Sequence, residues 1–128
     1  MQQRVSNLGP LEAVIMERMW ARGRPTPVRE VLDELEHERS LAYTTVMTVM
    51  DNLHRKGLLG RERVGRAYHY VPVQSREEHT AALMSEVLAD TADRGSALLH
   101  FVEQMQPEEL DRLRSALDRR SSTKSEGE

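Results

Sequence analysis

Apolar residues in this chain recur with helical period through three successive segments and then, directly after Gly57, switch to the alternation of strands. That switch constrains the fold more than any single residue does. Gly9-Pro10 precedes Leu11, Val14, Ile15 and Met19, and proline suits a first helical turn because its missing N–H has no intrahelical partner there. The spacing predicts a first helix ending near Gly23. Thr26-Pro27 repeats the device, a capping hydroxyl before a proline at the first helical position, and Val28, Val31, Leu32 and Leu35 form one stripe of a second helix to about Glu38. From about Tyr43 the residues Val46, Val49, Met50 and Leu53 stand at i, i+3, i+4 and i+7, and Gly57 offers the left-handed residue that ends a third helix. Ser40 and Thr44 are both candidates to cap its start. Leu58-Leu59 and Ala67-Tyr68-His69-Tyr70-Val71, with Gly65 between them, then read as a two-stranded hairpin turning near Val64-Gly65-Arg66.

From Arg76 the helical period returns. Leu83, Met84, Val87 and Leu88 mark one segment, Leu98, Phe101 and Val102 a second after Gly95, and Leu110, Leu113 and Leu117 a third opened by Pro107. Ser121 to Glu128 is small, polar and charged, which predicts a disordered tail. The expected organisation is therefore mainly α with a small β-hairpin: a three-helix-plus-hairpin domain over 1–75, a helical region over 76–120 and a tail over 121–128. The apolar residues of the second region exceed what three short helices bury alone, so a two-fold partner is the natural cover, with folding back onto the first domain as the other possibility.

Composition narrows the function. The 128 residues carry 18 Lys+Arg against 21 Asp+Glu and no cysteine, which excludes disulfides, thiolate metal sites and a cysteine nucleophile. No apolar run reaches the roughly 18 residues of a membrane span, and Met1 to Ser6 has no signal-type stretch, so a cytoplasmic protein is expected. The net charge of −3 conceals a division. Residues 1–75 hold 11 basic and 9 acidic side chains, residues 76–128 hold 7 and 12, and His54 to Arg66 alone carries Arg55, Lys56, Arg61, Arg63 and Arg66 against Glu62. A basic stripe of this kind suits a polyanion, although charge alone also fits a solvated face.

Three helices and a hairpin are the order of a winged helix-turn-helix, and the third helix has the matching chemistry. At 100° per residue Thr44, Thr48, Asp51, Asn52 and Arg55 lie opposite the apolar set. Threonine is a poor choice for an exposed helix surface, so Thr44, Thr45 and Thr48 incur a local cost that base contacts in a major groove about 12 Å wide would offset. The side chains expected at DNA are Tyr43, Thr44, Thr45, Thr48, Asn52, Arg55 and Lys56 on this helix and Arg61, Arg63 and Arg66 on the wing. Asp51 either accepts from cytosine, orients a neighbouring arginine or points aside.

Leu41-Ala42-Tyr43-Thr44-Thr45-Val46-Met47-Thr48-Val49, Arg55-Lys56-Gly57-Leu58 and Ala67-Tyr68-His69-Tyr70 together resemble the penicillinase repressor (BlaI/MecI/CopY) family, as do Leu11 to Trp20 and Leu98 to Glu103. The resemblance spans about residues 5–120. It implies a homodimeric repressor that binds an inverted-repeat (palindromic) operator in double-stranded DNA, pairs through the C-terminal helices and is inactivated by a sensor-linked regulatory protease, typically at an Asn-Phe bond. Here the aligned bond is His100-Phe101. The absence of cysteine excludes the copper-sensing mode of some relatives, and Met47 and Asn52 stand where some members carry arginine.

Other chemistries fail on spacing. Gly60 to Gly65 lacks the Lys-Ser/Thr of a phosphate loop, and His37-Glu38 is followed by Leu41 where a zinc protease needs histidine. The five histidines include no pair at helical ligand spacing, so neither a metal nor a cofactor is expected, and no enzyme. Two rivals to the repressor survive: a winged helix that binds another protein, and a regulator answering a small-molecule effector without proteolysis.

Overall fold

The computed structural model describes residues 8–126. Helix α1 (Pro10–Arg22) begins at Pro10, after Gly9 donates its N–H to the Glu12 carboxylate at 2.8 Å. It ends on Gly23 at φ 62°, a left-handed conformation that glycine adopts without a Cβ clash. A two-residue strand β1 (Thr26–Pro27) leads into α2 (Val28–Glu36), followed by α3 (Tyr43–Arg55), β2 (Leu59–Val64) and β3 (Ala67–Pro72). Strands β2 and β3 pair antiparallel from Leu59 opposite Pro72 to Val64 opposite Ala67. The two-residue turn between them has Gly65 at φ 65°, glycine at the first central position as a tightly twisted hairpin needs. This is a winged helix-turn-helix.

The sheet is three-stranded, in the order β1-β3-β2, rather than the bare hairpin expected. Thr26 pairs with Tyr70 and is fully buried. Its hydroxyl does not cap α2; it donates to the Arg24 carbonyl at 2.9 Å, because a buried hydroxyl needs an acceptor and the extended backbone supplies one two residues back. Pro27 is tolerated on this edge strand, where a missing N–H breaks no ladder bond. Neither Ser40 nor Thr44 caps α3: the flanking residue is Ala42, whose carbonyl accepts from the N–H groups of Thr45 and Val46.

Ile15, Met16 and Met19 of α1, Val28, Val31, Leu32 and Leu35 of α2, and Val46, Met50 and Leu53 of α3 form one core with Leu58, Leu59 and Tyr70. The apolar stripes named on the first three helices thus face inward, and burial of each large side chain contributes about 1.5–3 kcal/mol before entropy is counted. The core fixes the roll of α3, and with it the residues left facing out.

Helices α4 (Arg76–Ala89), α5 (Arg94–Glu103) and α6 (Pro107–Glu126) complete the chain. The first compact unit ends at Glu86 and the second begins at Val87. The division falls within α4, whose first turns are tied to α1. There His79 packs on Trp20 with ring centroids 5.2 Å apart, Arg76 pairs with Glu17 at 2.8 Å, and the Trp20 indole donates to the Gln74 carbonyl at 2.9 Å. In the second unit Asp93 caps α5, its carboxylate accepting from the Ser96 N–H at 3.1 Å. Helix α6 continues to Glu126, past Ser121, where disorder was expected. Once a helix is nucleated each further residue adds a backbone hydrogen bond, and neither Gly nor Pro interrupts the run. Residues 127 and 128 lie outside the described residues, as do residues 1–7.

Candidate nucleic-acid interface

With Val46, Met50 and Leu53 buried, α3 presents Tyr43, Thr44, Thr45, Met47, Thr48 and Arg55 to solvent, while Val49, Asp51 and Asn52 are half-buried. The exposed surface is thus a row of short hydroxyls flanked by the Tyr43 ring and the Met47 thioether, each about two-fifths exposed at 40% and 41%. Such a surface can donate, accept and offer methyl contact, the three things that base edges in a major groove discriminate. Among the expected base readers, Asn52 is partly engaged: its Oδ1 accepts from Arg55.

The wing stands beside this face. Arg61 of β2 lies 3.0 Å from Asp51 of α3, and its guanidinium stacks 4.2 Å over the Tyr68 ring of β3. The Tyr70 side chain, opposed by partial desolvation and aided by Asp51, pushes Arg61 above the ordinary arginine range, so it is a permanent cation. Arg63 lies 5.8 Å from the Tyr68 ring centroid, and Arg66 is exposed at the turn. A cleft of about 230 Å³ separates the start of α3 from the wing and is lined by Arg29, Tyr43, Met47, Arg66, Tyr68 and neighbouring residues. Asp51, left open by the sequence, orients arginines: it holds Arg61 and also reaches Arg55 at 3.4 Å.

The remaining cations of the first unit are largely neutralised. Arg22 pairs with Glu30 and Glu34 at 2.8 and 2.7 Å, Arg24 with Glu30 at 2.9 Å, and Arg18 with Glu34 and Glu38. These pairs clip α1 to α2 and leave the positive excess on α3 and the wing. Lys56, expected at DNA, reaches Glu12 of α1 at 2.8 Å in a part-buried contact. Sequence reasoning also missed Arg29, whose guanidinium lies 5.2 Å over the Tyr43 ring. Its signal was available: a cation in the first turn of α2 opposes the helix dipole unless an anion or a π face compensates.

The residues expected at a dimer contact fall into two groups. Leu83, Leu88, Val102 and Leu110 are half-buried, whereas Met84, Val87, Leu98, Phe101, Leu113 and Leu117 are exposed, Val87 to 71% and Leu117 to 57%. His100 and Phe101 both lie exposed within α5. Among the described residues no group of three or more His, Asp or Glu side chains could hold a metal ion, and no helix is long and apolar enough to cross a membrane.

Comparison with known proteins places this geometry. The penicillinase repressor family profile matches residues 8–119. The transcriptional regulator BlaI of Mycobacterium tuberculosis, in strains CDC 1551 and H37Rv, is 45% identical over 117 residues, covering 89% of this chain and 85% of the relative. The solution structure of the DNA-binding domain of the repressor BlaI shares the fold at a TM-score of 0.52 and 23% identity, over 61% of this chain and 93% of that one. A mutant of S. aureus MepR bound to an oligodeoxyribonucleotide does so at 0.51 and 16% identity, over 91% and 80%. A match over nearly the whole chain, joined to a winged helix with a threonine-rich third helix, shows that the protein belongs to the penicillinase repressor family, a family of transcriptional regulators and not of enzymes.

Proposed function

We propose that the protein is a homodimeric transcriptional repressor that docks α3 into the major groove of an inverted-repeat operator and lays its wing along the adjacent backbone. The observation that carries this reading is the shared cleft: Tyr43 and Met47 of α3 and Arg66 and Tyr68 of the wing line one surface, beside which Arg55, Arg61 and Arg63 outnumber Asp51 and Glu62. Thr44, Thr45 and Thr48 read base edges, Arg63 and Arg66 contact phosphates or a minor groove, and Arg29 and Tyr43 extend the contact toward α2. Lys56 stays on Glu12 and supports α3 from behind. The apolar side chains left exposed on α4, α5 and α6 pair with those of a second copy, and two-fold symmetry then sets the two α3 helices about 34 Å apart or a multiple of that.

Relief of repression follows from loss of the dimer. Cleavage at His100-Phe101 would achieve it by detaching α6, and it requires α5 to unwind locally so that the bond can enter a protease in extended form. Exposure of both residues supports this route.

Selection of genomic fragments by purified protein near physiological salt, followed by sequencing, tests the reading. Enrichment of a palindrome bound by two copies is the expected result. Retention without sequence preference would overturn operator recognition and favour a protein-binding winged helix.

A further inference from the structure

Asp51 is the acidic side chain of α3, and it sits where a polyanion should approach. Its Oδ1 lies 3.0 Å from Arg61 Nη1 of the wing and its Oδ2 lies 3.4 Å from Arg55 Nε, one helical turn on. Arg61 is further fixed over the Tyr68 ring, and Arg55 donates to the Asn52 amide oxygen. One carboxylate therefore ties two guanidinium groups from two different elements. A contact needed only to brace the wing against α3 has no need of a charge that repels phosphate. A carboxylate does something an apolar brace does not: it offers each guanidinium an anionic oxygen acceptor, as a phosphate would. It also stands well within a Debye length, about 8 Å at physiological salt, of any phosphate those arginines could reach.

We propose that Asp51 is a specificity-determining residue that acts as an internal phosphate mimic. On random-sequence DNA it keeps Arg55 and Arg61 engaged and repels the backbone, so binding there is weak. Only a duplex whose base edges engage Thr44, Thr45 and Thr48 draws the backbone close enough for its phosphates to take over the two arginines. The inference rests on the DNA-binding reading above and adds to it a mechanism for rejecting wrong sequences.

The test is affinity of full-length Asp51→Asn, Asp51→Glu and wild-type protein for the selected palindrome and for a random-sequence duplex of equal length, across a salt series. Asp51→Asn is expected to bind the random duplex about tenfold more tightly, with a salt slope steeper by about 0.9 for each of the two arginines that reaches a phosphate, about 1.8 if both do. Its preference for the palindrome should shrink accordingly. Asp51→Glu, which keeps the charge, should stay near wild type on the random duplex. Introducing Asp51→Asn into an Arg55→Ala, Arg61→Ala background should tighten random-duplex binding far less, since both groups it releases are gone. Equal weakening on both duplexes would mark Asp51 as a structural brace only, and unchanged affinity on both would remove it from selectivity; either overturns the proposal. Should no palindrome be recovered, operator recognition fails separately, and unchanged binding of the random duplex by Asp51→Asn would still overturn the role given to Asp51.

Discussion

Replacing Lys56 by methionine separates two roles that its position in the basic stripe confounds. Lys56 Nζ lies 2.8 Å from Glu12 Oε1, which also accepts the Gly9 N–H at 2.8 Å, while Glu12 Oε2 is buried without a hydrogen-bond partner. The Glu12 side chain is only 13% exposed, so without Lys56 a largely desolvated carboxylate would keep a single backbone donor. A hydrogen bond to a charged group contributes about 1.5–3 kcal/mol, and methionine preserves the aliphatic stem, so the expected loss is about 2 kcal/mol. For a unit that ends at Glu86 this corresponds to a fall in Tm of roughly 8–16 °C.

The acid limb supplies a second reading of the same contact. Burial pushes the Glu12 carboxyl up, but the Lys56 hydrogen bond, the Gly9 N–H and the Lys56 charge together hold it below its ordinary value of 4.5. A carboxyl depressed by folding contributes stability that is present above the unfolded value and is lost as pH falls through the lower folded one. In Lys56→Met that loss should be shallower. Thermal melts followed by circular dichroism at neutral and acid pH, with DNA titrations well below Tm, measure both effects. An unchanged Tm accompanied by a DNA salt slope reduced by about 0.9 would refute the reasoning and return Lys56 to the phosphate backbone.

Thr48→Ala should cost about 1–3 kcal/mol on the selected palindrome and little on random DNA; equal losses would show that Thr48 does not read a base. Arg66→Ala should weaken binding to both duplexes and lower the salt slope by about 0.9, and an unaltered slope would take the wing tip out of the interface. Gly57→Ala meets no atom within 4 Å at the added Cβ, but φ is 83°, so backbone strain alone should lower stability by about 1–2 kcal/mol. A melt indistinguishable from wild type would show that the α3 terminus relaxes.

The parts of this fold that are legible in the sequence are those whose information is local. The stripe of Val46, Val49, Met50 and Leu53 is a property of one helix, and it determines both what α3 buries and which threonines it exposes. Gly57 and Gly65 are likewise answered by their own φ angles, 83° and 65°. Thr26-Pro27 carries a local signal that misleads, because a hydroxyl before proline is chemically the same at a helix start and on an edge strand. What decides is Tyr70, more than forty residues away in the chain, whose strand offers a pairing partner. Charges are the least legible. Lys56 and Arg55 are neighbours in one basic stripe, yet Lys56 lies in the ion pair to Glu12 while Arg55 lies exposed with Asp51 and Asn52. Sequence spacing on α3 does not contain Glu12 or Arg61, since both arrive from elements that the core positions. The same dependence explains why spacing on α3 does not name the wing arginine that Asp51 meets in the folded chain. A charged side chain acquires its function from its partner, and here the partners of Asp51 include a guanidinium from the wing that packing of Leu59 and Tyr70 brings alongside α3.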